Sequence, residues 1–243
     1  MPFALELAVQ DPSGTRIARE IGAARVELCQ ALALGGLTPS PATVEQVLEA
    51  AGTDGPEVHV LVRPRGGGFQ YDRDELDVTA RDIRLALDAG AHGVVIGAQD
   101  ASGALDRDAL ARLIDAADGA PTTLHRAIDM TPDPVAALQI AVGLGMHRVL
   151  TSGAASRAID GLDVLRALVA EAAGRIEVMA GSGVDAGNAA AIAASGVDAL
   201  HFSAKRMVQA DGGVRLGSAT DGAGAYEVTD RDAAFAVVRA LGL

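Results

Sequence analysis

Short apolar runs alternate with amphipathic stretches along the whole chain. The runs span Ala4–Val9, Arg25–Cys29, Val58–Arg63, Gly93–Ala98, Thr122–Arg126, Arg148–Ser152, Ile176–Ala180 and Ala199–Ser203. Most are continuous and rich in Val, Ile and Leu, the pattern of strands buried on both faces of a parallel sheet. Helical periodicity fills the gaps, as in Asp74–Asp88, Asp106–Ala117, Asp133–Val142 and Asp163–Ala172. Asp or Ser opens several of these, and Ser40-Pro41 reads as an N-cap followed by a proline in the first turn.

The second, fourth, sixth and eighth runs are each entered through a glycine: Gly22, Gly90, Gly145 and Gly196. A glycine there supplies the left-handed residue that ends a helix before a tight turn. TDGPEV, DGAPTTL and AGRIEV lead more loosely into the third, fifth and seventh. The repeating unit is βαβα, and four copies predict a single-domain α/β fold, a (β/α)8 TIM barrel over residues 1–243. A barrel of this kind needs about 250 residues. An open doubly wound sheet is the alternative, but it does not require the repeat to run to the end. Asp211–Val228 is polar and Gly-rich and predicts a loop or lid before a last helix near Asp230–Leu241.

Composition narrows the picture. Aromatic residues make up 2% of the chain, so the core is to be built from Ala, Val, Leu and Ile. Twenty Lys and Arg against 32 Asp and Glu give a net charge of −12. So acidic a body excludes general binding to nucleic acid or to anionic membranes. The single cysteine, Cys29, excludes an internal disulfide. MPFALELAVQD lacks the basic start of a signal peptide, and no uncharged apolar stretch reaches the roughly 18 residues that span a bilayer. The expected location is the cytoplasm.

In such barrels chemistry sits at the C-terminal ends of the strands. That rule selects Glu6, Glu27, Arg63, Arg65, His125, Arg126, Asp129, Thr151 and Ser152 as candidate catalytic residues. Pro64 is expected to hold Arg63 and Arg65 in fixed geometry for a carboxylate or phosphate. A helix opening at Asp185 after Gly181-Ser182-Gly183, with Ser203 and Lys205 past the eighth strand, predicts an anion site. Glu27 or Asp129 would serve as general base and His125 as general acid. Pairing of Glu6 and Glu27 with Arg63 and Arg126 in a structural network is the competing reading, and it would leave a non-catalytic binding or scaffold protein. There is no dinucleotide fingerprint or Walker A, so no nucleotide cofactor is expected. The histidines show no HxH or HExxH grouping, and the methionines no MxxM.

VELCQALALGGLTPS, VRPRGGGFQYDRDE, DIRLALDAGAHGVVIGA, LHRAIDMTPDP, LGMHRVLTSGAAS, GRIEVMAGSGV and HFSAKR together strongly resemble the CutC family, in order from Leu5 to Arg206. The resemblance implies a cytoplasmic (β/α)8 barrel forming a homo-oligomer, dimer or tetramer, associated with copper homeostasis. A eukaryotic relative is described as binding Cu(I). By resemblance Cys29 becomes the candidate metal ligand, and Cu(I) or a small anionic molecule the expected partner. Relatives commonly carry cysteine just after the first-strand glutamate, whereas this chain has Ala8 and Val9. A site needing two thiolates from one subunit cannot form here. Two functions stay open: Cu(I) binding, or an isomerase, epimerase or lyase acting on a small anionic or phosphorylated sugar-like metabolite.

Overall fold

The computed structural model describes residues 3–209 and 225–243. Eight parallel strands close into a barrel in chain order: β1 (Ala4–Val9), β2 (Arg25–Leu28), β3 (Glu57–Leu61), β4 (Gly93–Ile96), β5 (Thr122–Leu124), β6 (Arg148–Thr151), β7 (Glu177–Gly181) and β8 (Ala199–Phe202). Seven helices connect them: α1 (Pro12–Glu20), α2 (Pro41–Ala51), α3 (Arg73–Asp88), α4 (Arg107–Ala116), α5 (Pro134–Gly143), α6 (Leu162–Ala172) and α7 (Ala189–Ala193). The helix starts follow the expected chemistry. Ser40, Asp106 and Asp133 each accept a backbone N–H of the first turn, and Asp72 forms a reciprocal capping box with Glu75.

Gly22, Gly90, Gly145 and Gly196 all adopt positive φ, from 69° to 107°. The expected contrast with the odd-numbered strands does not hold, because Gly52, Gly119 and Gly174 adopt positive φ as well. Each of these helix exits thus carries a glycine at positive φ.

Two corrections concern the end of the chain. After β8 the chain forms β9 (Lys205–Val208), which pairs antiparallel with β10 (Tyr226–Thr229). Residues 226–228, expected as loop, are therefore strand; the rest of the expected loop lies outside the described residues, apart from Ala225. The last helix, α8 (Arg231–Ala240), is capped by Asp230.

The core has two parts. Outward-facing residues such as Leu7, Val26, Val60, Val149 and Leu200 pack under the helices in one continuous apolar cluster. Inside the barrel the apolar content is small: Cys29, Leu61 and Val95 form one group, and Leu150, Met179 and Ala199 another. Between them the lumen is charged. Burying such groups is tolerable only when each meets a partner, so their pairing defines the inner structure.

Candidate active site

The charged interior begins at the strand starts. Arg25 opens β2, Arg148 opens β6 and Glu177 opens β7. Arg25 donates from Nε to Glu6 at 3.1 Å and from its terminal nitrogen to Glu177 at 2.6 Å. Arg148 Nε lies 2.9 Å from the same Glu177 oxygen, and its terminal nitrogen donates to Thr123 at 3.0 Å. Strand register makes these meetings inevitable, since Glu6 stands opposite both Arg25 and His201, and Arg148 opposite Glu177. Two arginines and two carboxylates thus bind four strands, β1, β2, β6 and β7, from the inside.

Above this layer, His201 Nδ1 bonds to Glu6 at 2.9 Å and lies 3.4 Å from Glu27 Oε2. Burial alone would raise the Glu6 carboxyl, but the hydrogen bond and charge of His201, with Arg25, hold it at about 2. Glu27 has the opposite fate. Burial pushes it up to about 7; the His201 charge opposes this and the neighbouring Glu6 charge adds to it. His201 is raised despite its burial, because two carboxylates face it. Two similar side chains, 2.9 and 3.4 Å from one imidazole nitrogen, are therefore shifted in opposite directions.

A cavity of about 800 Å³ opens over this cluster at the C-terminal ends of the strands. Glu27 and His201 form part of its floor, and Arg63, Phe69, His125, Arg126, Ser182, Gly183, Ser203 and Lys205 part of its wall. Ala233, Ala236 and Val237 of α8 close one side. The volume is within the usual range for small-molecule sites, roughly 300–1,000 Å³.

His125 ends β5 and is buried. Its Nδ1 accepts the backbone N–H of Ala127 at 3.1 Å, so Nε2 carries the proton. Burial, then the charge of Arg63, lowers its basicity to about 3, which keeps the ring neutral. The ring fits because β4 gives way to it: a Cβ on Gly97 would stand 2.3 Å from its Cε1. Gly93 does the same for His59, where a Cβ would stand 2.7 Å from the ring. The two glycines of GVVIG are cut-outs for two histidines.

Arg63 is buried, and its guanidinium donates to the carbonyls of Leu34, Gly36 and Gly67 at 2.7–3.0 Å. No carboxylate among the described residues pairs with it. The pairing of Glu6 and Glu27 with Arg63 and Arg126 is thus replaced by pairing with Arg25 and His201.

Several expected site residues are occupied elsewhere. Arg65 lies outside the cavity wall; its guanidinium is bound to Glu75 and to the Gly68 and Gln70 carbonyls, tying the Gly-rich loop to the start of α3. Asp129 is not a free base. It accepts from Arg126 Nε, the Thr151 hydroxyl and the backbone N–H groups of Ser152 and Ala154. Ser152 in turn accepts from Arg126 and donates to the Ala155 carbonyl. Asp129, Thr151 and Ser152 form a latch between β6 and the 3-10 turn Arg126–Met130. Asp129→Ala strands these donors, each worth about 1–3 kcal/mol when buried and unmet. We expect a loss near 3 kcal/mol in urea unfolding and about half that for Asp129→Asn; a loss under about 0.5 kcal/mol in both would remove the latch.

The expected helix at Asp185 starts instead at Ala189 and has only five residues. The Asp185 N–H is taken by the Asn188 side chain, and Ser182 binds the Ser156 carbonyl. Lys205 is paired across the hairpin with Glu227 at 2.5 Å. Gly181, Ser182, Gly183, Ser203 and Lys205 therefore do not assemble a helix-end anion site. Cys29 is fully buried beside Leu61 and Val95 and is not part of the cavity wall. Burial pushes its thiol up, with Glu27 adding to the effect. Among the described residues the one grouping with metal-site spacing is Glu6, Glu27 and His201, whose ligand atoms lie within 4.8 Å of one another. It offers hard oxygen and nitrogen donors, and Arg25 and His201 already bond Glu6.

The sequence pattern of the CutC family matches residues 3–206. The chain belongs to the CutC family. A family protein CutC of Caulobacter vibrioides is 48% identical over 200 residues, covering 82% of this chain and 80% of its own. One from Xylella fastidiosa is 41% identical over 241 residues, 98% of this chain and 88% of its own. A crystal structure of a family member from Streptococcus agalactiae, whose name assigns it to copper homeostasis, superposes with a TM-score of 0.79 at 32% identity, over 83% of this chain and 98% of its own. Family membership accounts for the motif string and for the barrel. A structure named a phosphonomutase from Burkholderia cenocepacia, 20% identical with a TM-score of 0.60 over 84% of this chain and 87% of its own, shares the fold.

Arg25, Arg148 and Glu177 are the buried partners that sequence reasoning left out. Their signal was present: RVELC, RVLTS and EVMAG each begin with a charge at the start of an apolar run. No helix among the described residues is long and apolar enough to cross a membrane.

Proposed function

We propose that this chain is an enzyme that moves a proton on a small polar molecule held in the C-terminal cavity, with Glu27 as the group that takes and returns it. One observation carries the reading. Glu27 is a buried carboxylate on the cavity floor that accepts no hydrogen bond among the described residues. Burial raises Glu27 to about 7, and its neighbour Glu6, fixed as the anion by Arg25 and His201, adds to the effect. A general base or acid works best with a pKa near the working pH. Proton abstraction beside a carbonyl, as in an isomerase, epimerase or lyase, fits the inventory: one titrating carboxylate, a neutral imidazole N–H and a buried guanidinium.

Copper handling, carried by the name of the Streptococcus agalactiae relative, draws less support from the donors. Cu(I) favours thiolate and thioether sulfur. The sequence has one cysteine, and burial suppresses its thiolate. The Met179 sulfur lies 3.9 Å from the Arg25 guanidinium. The residues present do not fit Cu(I).

The test is direct titration of Glu27. Infrared difference spectra, with Glu27→Gln to assign the band, should place the carboxyl midpoint within about one pH unit of 7. A midpoint below about 5 would remove the proposed base.

A further inference from the structure

Among the described residues, two buried donors in the cavity wall meet no acceptor. His125 Nε2 carries a proton, because its Nδ1 accepts from Ala127, and Nε2 itself meets no partner. Arg63 directs its terminal nitrogens to three carbonyls, and its Nε is likewise unmet. Both residues are more than nine-tenths buried, at 5% and 6% exposure, and both line the same cavity. Phe69 lies against both, 5.0 Å from the Arg63 guanidinium carbon and 4.5 Å from the His125 ring centre. A buried N–H without an acceptor is uncommon and costly, so a pair of them at one place calls for a ligand.

We infer that the Arg63–His125 pair is the binding site for a carboxylate of the molecule on which Glu27 acts. This deepens the reading of the cavity as a proton-transfer site and rests on it. The charge is right: Arg63 is a buried cation with no carboxylate partner among the described residues, and His125 adds a donor that stays neutral. The geometry favours a carboxylate over a phosphate. Two unmet N–H groups match the two oxygens of a planar monoanion. A phosphate dianion needs more donors, and two of the expected sources do not supply them, since α7 has one and a half turns and Lys205 is paired with Glu227. The Phe69 ring lines the cavity and packs against both residues, so a ligand that reaches the two buried N–H groups must displace it. The substrate class is thus a small carboxylate with a carbon acid or hydroxyl reaching Glu27.

Calorimetric titration with glycolate, and separately with inorganic phosphate, tests this on the full chain. Glycolate should bind, and phosphate at least about ten-fold more weakly. His125→Leu removes one charge-assisted hydrogen bond, so glycolate affinity should fall roughly ten-fold or more, whereas His125→Gln keeps an N–H donor and should stay within about three-fold. In parallel, the Nε2 resonance of His125 in 15N-histidine-labelled protein should move on adding glycolate. Glu27→Gln separates the two readings: it abolishes the titration near neutrality but leaves glycolate affinity equal or tighter, because a negative neighbour is gone. Equal affinity in wild type and His125→Leu, a stationary Nε2 resonance, no glycolate binding at 10 mM (about ten-fold above a 1 mM dissociation constant), or phosphate binding more tightly than glycolate would each overturn the carboxylate site without touching the titration of Glu27.

Discussion

Replacing Arg25 by Met should destabilise the protein by about 3–5 kcal/mol, although residue 25 does not line the cavity. Arg25 is buried, and its one guanidinium serves Glu6 on one side and Glu177 on the other. Met fills a similar volume and carries no charge. Glu177 keeps Arg148, but Glu6, fully buried, is left with His201 alone. Removing one partner of a buried pair costs far more than removing both, because the survivor stays charged in a low dielectric. Arg25→Lys should rescue little, since a single ammonium cannot fork between two carboxylates. Arg25→Met combined with Glu6→Gln should recover a substantial part of the loss. Thermal unfolding reads the result: at roughly 2–4 °C per kcal/mol for a chain of this size, the single variant should melt about 6–20 °C lower. A shift under about 2 °C would mean that the inner network contributes nothing to the barrel.

Glu27→Gln should do the reverse, and its effect should depend on pH. The folded pKa of Glu27, about 7, is raised above an ordinary value of 4.5. The folded protein therefore holds a proton that the unfolded chain has released between those values. Stability falls as pH rises through that window and levels off above it. The total loss is about 3 kcal/mol, at 1.36 kcal/mol per pH unit of displacement. Gln imitates the protonated acid and does not titrate. The variant should match wild type at pH 4.5 and exceed it by about 3 kcal/mol at pH 9, read from urea midpoints at both pH values. Equal stabilities at pH 9 would show that Glu27 ionises freely in the folded state.

The barrel was legible from the sequence because its signals are local and repeated. Eight apolar runs, helices opened by Asp or Ser, and glycines at the helix exits all report on the backbone within a few residues. The inside of the barrel was not. Continuous runs such as RVELC predict burial on both faces, which is correct, but they do not say that Arg25 and Glu27 turn inward while Val26 and Leu28 turn to the helices. The partners of Arg25 lie 19 and 152 residues away, and no local spacing reveals them. Glu6, Glu27, Arg63 and His125 were picked out correctly as strand-end or lumen residues, and the last three reach the cavity wall. Arg65, Asp129, Thr151 and Ser152 were picked out by the same rule and serve loops instead. A position at a strand end says that a side chain is near the rim; only the hydrogen bonds around it say whether it is free. Lys205 shows the same limit, since its partner Glu227 sits on a strand that the polar, Gly-rich composition of its surroundings disguised as loop.

The triad of Arg25, Arg148 and Glu177 joins the first half of the barrel to the second through β2, β6 and β7. Half-barrels are natural units for splicing, because four strands and their helices recur as a block. Here a splice after β4 would draw Arg25 from one parent and Glu177, with the Arg148 that pairs with it, from the other. Chimeras within this family should therefore be governed by whether the two parents agree at three inner positions, and only secondarily by their overall identity. Parents that match at residues 25, 148 and 177 should yield folded hybrids, and a single mismatch there should leave a lone charge sealed in the lumen.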